Sequence, residues 1–156
     1  MDDRTFRTAM GKFATGVTVI TTEHDSQIHG MTANAFMSVS LNPRLVLVSI
    51  DEKANMKRYV EEAGKFAISI LSKEQQELSA HFAGQIKKKV EINFDRLNDL
   101  PIIKDSLVYV TCIVHNSIIA GDHTLFIGEV TEVSINDGDP LAFFDGKYKQ
   151  VSELTS

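Results

Sequence analysis

The sequence predicts a mainly β fold, an antiparallel barrel carrying a few peripheral helices. Three observations lead there. First, β-branched and apolar residues gather into short runs, of which Val17-Thr18-Val19-Ile20-Thr21-Thr22 and Leu45-Val46-Leu47-Val48-Ser49-Ile50 are the clearest. Second, the runs follow one another at spacings too close for the helical crossovers that parallel strands need. Third, the two longest, Leu107 to Ala120 and Thr124 to Ile135, are joined by Gly121-Asp122-His123, which reads as a hairpin. With 156 residues, 43% of them apolar, the chain is long enough for one domain with a real core, residues 1–156. No linker, internal repeat or low-complexity segment divides it.

The elements follow in order. Phe6, Ala9, Met10 and Phe13 recur at three- and four-residue spacing, which predicts an amphipathic helix over about residues 3–14. Asp2 or Asp3 can cap its start, and Gly16 is placed to end it. Val17 to Thr22 is the first strand, Glu23 to Gln27 turns the chain, and a second strand covers about Ile28–Phe36. Leu45 to Ile50 is apolar almost without a break, as a strand buried on both faces would be. Met56, Tyr59, Val60 and Ala63 then share one face of a helix that Gly64 stops. Phe66–Leu71 is a short buried strand. Ser72-Lys73-Glu74-Gln75 is a capping-box pattern opening a helix to about Phe82. After the long hairpin, a final strand covers about Leu141–Phe144, before Gly146.

Composition narrows the function classes. The 16 basic and 21 acidic residues leave −5, which argues against nucleic acid as the main partner, since phosphate neutralisation needs a basic face. Lys87-Lys88-Lys89 reads as a solvated loop. Cys112 is the only cysteine, so there is no intramolecular disulfide and no zinc-ribbon spacing. Asp2, Asp3 and Arg4 open the chain without an apolar stretch, and no run is long enough to span a bilayer. A soluble, cytoplasmic protein is expected. No GxGxxG follows a strand, and no Walker loop or HExxH is present. His24, His29, His81 and His115 have no Asp, Glu or Cys at ligand spacing, so no metal site is expected.

One polar segment stands out between apolar runs. Thr32-Ala33-Asn34-Ala35 and then Ser38-Val39-Ser40 offer backbone N–H groups, small hydroxyls and an amide with little bulk. That inventory suits a large, planar, phosphate-bearing ligand that needs close backbone approach. Residue types alone favour a plain polar loop over a ligand cradle, just as His123 alone reads as a turn residue and Phe82 alone as core.

Five blocks, in order, carry a resemblance that covers nearly the whole chain: Phe6 to Thr22, His29 to Pro43, Ser72 to Gly84, Ala120 to Val130, and Gly146-Lys147-Tyr148. Ala-Gly-Asp-His-Thr-Leu-Phe-Ile-Gly-Glu-Val, from Ala120 to Val130, is the most distinctive. Together they resemble the short-chain flavin reductases, the small reductase components of two-component monooxygenases acting on phenol or 4-hydroxyphenylacetate. The resemblance implies an FMN-binding split barrel, Greek-key-like, working as a homodimer with the flavin in a groove near the subunit interface. It implies flavin contacts at Thr32, Ala33, Asn34 and Ala35, with Ser38, Val39 and Ser40 lining the same cleft and Ser49 within reach. Where such folds often carry a hydroxyl pair for the phosphate, this chain has Lys53-Ala54-Asn55, a point charge and an amide. Phe82-Ala83-Gly84 would form a second wall. His123 would touch the nicotinamide or the isoalloxazine edge, and Lys147 and Tyr148 the nicotinamide nucleotide.

The implied reaction is hydride transfer from NADH to FAD, with FMN possible, and release of reduced flavin to a separate oxygenase, in contact that need only be transient. Such chemistry belongs to the cofactors, which accounts for the lack of a catalytic triad or carboxylate pair. Three rivals stand beside it. A flavin-binding electron-transfer protein would share the cradle. A pyridoxamine-phosphate-oxidase-like enzyme would want clustered arginines, whereas Arg4, Arg7, Arg44, Arg58 and Arg96 are dispersed. A ligand-binding regulator has nothing positive in its favour.

Overall fold

The computed structural model describes residues 1–155. Helix α1 (Asp3–Met10) leads into β1 (Thr15–Gly16), β2 (Thr18–His24), β3 (Gln27–Ala33), β4 (Phe36–Leu41) and β5 (Arg44–Asp51). Helix α2 (Asn55–Ala63) precedes β6 (Lys65–Ile70), and a 3₁₀ turn (Lys73–Gln75) runs into α3 (Gln76–Phe82). The second half is strands alone: β7 (Phe94–Leu97), β8 (Leu100–Ile103), β9 (Val108–Ala120), β10 (His123–Ile135), β11 (Ala142–Phe144) and β12 (Lys147–Lys149).

Seven strands form one sheet in the order β3-β2-β6-β9-β10-β5-β4, with every neighbouring pair antiparallel. β3 and β4 stand at opposite ends of that order, yet only Asn34 and Ala35 separate them in the chain. The sheet must therefore curl until its ends meet. It closes without a β3–β4 ladder, and this seam is the split of the barrel. The antiparallel barrel read from the strand spacing is the architecture found.

The core explains which runs lost their alternation. Ile20, Val48, Ile50, Phe66, Ile68, Cys112 and Phe126 fill the barrel, and α2 adds Met56 and Val60 to the same cluster. A second cluster lies outside the sheet, where Val17, Val19, Leu71, Ile103 and Leu141 meet Leu78, Phe82, Phe94, Phe143 and Tyr148. β2 passes between the two, so Thr18 to Thr22 are all buried. Its hydroxyls are satisfied by carbonyls: Thr18 donates to Ala33 O (2.6 Å) and Thr22 to Lys65 O (2.8 Å).

Several boundaries differ from the expectation. α1 stops at Met10, where Gly11 caps it, and Gly16 instead joins β1, paired with Ala142. The strand expected over Ile28–Phe36 breaks at Asn34 and Ala35, because the chain must leave one end of the sheet and enter the other. Ser38 to Ser40, the second part of the polar segment, lies within β4 and carries a bulge between Ser38 and Ser40. The β7–β8 hairpin was not anticipated, although Asn98-Asp99 between Leu97 and Leu100 is its turn, with φ of 50° and 63°. The Ser72–Gln75 capping box is present, opening the 3₁₀ turn ahead of α3. Gly64 ends α2 at φ 69°, the left-handed conformation that favours glycine there. Cys112 is a core residue, its thiol pushed up to about 12 by burial.

Gly128 sits where β10 crosses the barrel interior. A Cβ there would stand 2.7 Å from Phe66 Cζ and 2.8 Å from Cys112 Cβ. Gly128→Ala is therefore expected to cost about 1–3 kcal/mol by overpacking, read as a lower urea midpoint with unchanged slope. An unchanged midpoint would show that Phe66 and Cys112 make room freely.

Candidate functional site

The free edge of β3 organises the site. As the end strand of the sheet it turns alternate N–H and C=O groups away from β2, with no strand to receive them. Register divides its side chains between two faces. Met31 and Ala33 oppose Ile20 and Thr18 and look into the barrel, while Gly30 and Thr32 oppose Thr21 and Val19 and look outward beneath α3. A cavity lies on each face.

The outer cavity, about 160 Å³, is bounded by Thr32, Asn34, Ser79, Ala83, Phe143 and Tyr148, among others. Thr32 Oγ1 donates to the Ser79 carbonyl (2.7 Å), tying β3 to α3 and leaving the threonine lone pairs free to accept. Ser79 Oγ meets the Tyr148 hydroxyl at 2.8 Å, and the Tyr148 ring stands edge-on to Phe143 at 5.5 Å. Phe82 packs against the position of Gly30, where a Cβ would stand 2.6 Å from its Cε1. Gly84, at φ 71°, lets the chain turn away after α3.

The inner cavity, about 300 Å³, opens at the barrel end between β3 and α2, against His29, Met31, Ala54, Asn55 and Tyr59. α2 is capped at Ala54 without a side-chain hydrogen bond and has no acidic residue in its first turn, so its own amides point outward as donors; the Asp51 carboxylate just ahead accepts from the Lys53 amide (2.7 Å). Lys53 stands just before it, and no carboxylate pairs with its ammonium among the described residues. The neighbouring charges are spoken for: Lys57 bridges Glu61 (3.1 Å) and Glu52 (3.4 Å). The Glu52 carboxyl is held below its usual range first by the Thr124 hydroxyl and then by Lys57.

His123 stands on the outer barrel face, in register with Leu125 and Ile127, and borders neither cavity. It opens β10 opposite Asp51, and the Glu52 amide donates to the Asp122 carbonyl (2.9 Å), so the hairpin tip leans on the loop leading to α2. Gly121 takes φ 63° as the first residue of a two-residue turn. The Asp122 carboxylate lies 2.8 Å from His123 Nδ1, and this contact lowers its pKa. A proton on Nδ1 leaves Nε2 as the outward nitrogen.

The sequence-predicted residues thus separate into groups. Thr32, Asn34, Ala83 and Tyr148 share the outer cavity, with Phe82 behind it; Ala54 and Asn55 line the inner one, Lys53 precedes Ala54 in the chain, and His123 borders neither. Ala33 is buried in the core, and Ala35 serves the seam by accepting from Ser49 N (3.1 Å). Ser38, Val39 and Ser40 are carried away along β4 and border neither cavity, because pairing with β5 draws them off the seam. Lys147 is exposed on β12 opposite Phe144. Ser79, Phe143 and the His29–Tyr59 ring pair (3.7 Å) were missed. A lone helical serine and two distant rings give no local signal. Among the described residues no group of three His, Cys, Asp or Glu is placed to hold a metal, and no helix is long and apolar enough to cross a membrane.

The donor set fits a flavin nucleotide. A free strand edge and acceptor oxygens suit a uracil-like ring edge, and an uncapped helix start with a free lysine suits its phosphate. Comparison with known proteins agrees. The chain belongs to the flavin reductase like domain family, whose model matches residues 10–152. It is 44% identical over 151 residues to an NADH-dependent flavin reductase of a Rhodococcus species, covering 95% of this chain and 86% of that one. It is 36% identical to the reductase component of Thermus thermophilus 4-hydroxyphenylacetate 3-monooxygenase, covering 94% of this chain and 95% of that one. The solved flavin reductase PheA2 superposes with TM-score 0.96 at 61% identity, over 98% of this chain and all of that one. The NADH:FAD oxidoreductase SgcE6 of Streptomyces globisporus, solved with NAD and FAD fragments, superposes with TM-score 0.89 at 32% identity, over 96% of this chain and 93% of that one.

Gly30 is the point where two sequence blocks of the site meet. Gly30→Ala should displace the Phe82 ring, costing about 1–3 kcal/mol of stability, read as a lower urea midpoint, and weakening flavin binding in calorimetry. Wild-type stability and affinity in this variant would contradict the packing described.

Proposed function

We propose that this chain is an NADH-dependent flavin reductase that passes a hydride to FAD, with FMN a second acceptor, and supplies the reduced flavin to a separate aromatic monooxygenase. The observation that carries the reading is the free edge of β3 facing the uncapped start of α2, within a chain whose relatives are NADH-dependent flavin reductases and monooxygenase reductase components. A bound flavin supplies the hydride acceptor. The protein's own part is to hold and orient. β3 edge amides and the Thr32 oxygen receive the pyrimidine edge; the α2 amides, Lys53 and Asn55 hold the phosphate. Phe82, Ala83 and Gly84 would wall off water, and the His123 imidazole, oriented by Asp122, would meet the nicotinamide or the isoalloxazine edge. Lys147, on the exposed strand that Tyr148 anchors, would supply a charge for the phosphates of NADH. The electron-transfer alternative is not favoured, since the relatives are nicotinamide-dependent reductases.

The working unit in this proposal is a homodimer in the cytoplasm. On the outer barrel face Met37, Leu47 and Ile127 pair across β4, β5 and β10, with Leu125 and Ile118 beside them. Met37 is 54% exposed and Ile118 46%, an apolar row that a second copy of the chain would cover. His123 and Ser49 share that face, next to Leu125, so the contact would border the nicotinamide side of the site.

Initial rates of NADH oxidation with and without FAD test the activity. Saturable stimulation by FAD is expected; flavin binding without NADH oxidation at any flavin concentration would overturn it. His123→Ala should lower kcat/KM for NADH about 10- to 100-fold, the scale of one charge-assisted hydrogen bond, with flavin affinity unchanged. In sedimentation the wild type should run at twice its 17.3 kDa chain mass and Met37→Asp at the single mass; a monomeric wild type would remove the dimer proposal.

A further inference from the structure

Charge is unevenly spread over the chain. Segments 85–90 and 146–150 hold five of its eleven lysines and no acidic residue. All 21 acidic residues therefore lie elsewhere, against the 11 remaining basic ones. Both segments reach the outer cavity, where Gln85 and Tyr148 are among the lining residues. Lys87, Lys88 and Lys89 follow Gln85 and are all exposed, and Lys147 and Lys149 flank Tyr148 and are exposed too. The surroundings of this cavity are thus the positive pole of an acidic protein.

Most of these lysines are placed to act at a distance. Along β12 the half-buried Tyr148 turns to Ser79 and Phe143, so its two neighbours stand on the opposite face. Lys88 is paired with Glu77 (2.6 Å), and Asp145, just before Gly146, is held by Lys12 (3.0 Å). No carboxylate pairs with Lys87, Lys89 or Lys149 among the described residues. Lys87 and Lys89 lie two and four residues past Gln85, at most about 7 and 14 Å along the chain. Exposed charges reach that far through their field, since the Debye length is about 10 Å at 0.1 M salt.

We propose that this lysine rim draws the dinucleotide hydride donor, an anion through its diphosphate, to the outer cavity, an inference that rests on the reductase reading above. Without the rim, a net charge of −5 would repel such a ligand. Lys87, Lys89 and Lys149 carry the positive field outward from Lys147. They raise the local concentration of the donor and leave the hydride step itself alone. The flavin phosphate, at the start of α2, lies across β3 from the rim and feels it less.

The test compares the wild type with a variant carrying Lys87→Gln, Lys89→Gln and Lys149→Gln, at saturating FAD. Two hydride donors are used, NADH and the uncharged N-benzyl-dihydronicotinamide. At low salt kcat/KM for NADH is expected to fall about 3- to 10-fold with kcat unchanged, and the gap to close in about 0.5 M salt. The uncharged donor should react equally with both proteins, and their FAD affinities should agree within about twofold. An equal loss for both donors, a loss that persists at high salt, or no loss for NADH would overturn the proposal. So would a fall in FAD affinity as large as the fall for NADH, which would give the rim to the flavin. A wild type that oxidises neither donor would sink the reductase reading itself, an outcome distinct from the others.

Discussion

An antiparallel strand with one unpaired edge is a hazard in water, because its free amides and carbonyls invite other chains. β3 is such a strand, and the rest of the molecule is arranged around it. The barrel stops short of closing between β3 and β4, α3 covers the strand from outside through Thr32 and Phe82, and α2 stands across the opening from inside. What is left uncovered is a narrow band of backbone between two cavities. A ligand whose ring edge wants amides and carbonyls satisfies that band without extending the sheet. The defect in the ladder and the binding site are then one feature.

That arrangement also explains why glycine and small residues recur at the site. Gly30 has no side chain because Phe82 occupies the space, so the His29–Pro43 and Ser72–Gly84 blocks meet at a single contact. Away from the site, in the barrel core, Gly128 is bare because Phe66 and Cys112 close over it. In both cases the constraint is steric rather than conformational, and a methyl group would have to move an aromatic ring held on several sides.

Much of the fold was legible in the sequence, and for identifiable reasons. Strand spacing gave the antiparallel barrel, Gly64 and the Ser72–Gln75 box marked helix ends, and Gly121-Asp122 marked the long hairpin. The seam at Asn34-Ala35 was not legible, since a strand that leaves one sheet edge for the other looks locally like one continuous strand. Ser38 to Ser40 stand within β4, and their register is a property of the partner β5 that their own composition does not carry. Thr32, Asn34 and Lys53 could be named from residue type and resemblance. Ser79, Phe143 and the His29–Tyr59 pair could not, because each matters only through a residue dozens of positions away.

The central claim is that flavin binds across the seam, on the β3 edge and the start of α2. Hydrogen–deuterium exchange of the protein with and without saturating FAD tests it directly, amide by amide. Slowed exchange confined to residues 30–35 and 53–58, with lesser protection at 82–84, is the predicted result. Protection falling instead on the groove bordered by Ser72, Gln75, Asn93 and Lys104, with the β3 edge unchanged, would contradict the account.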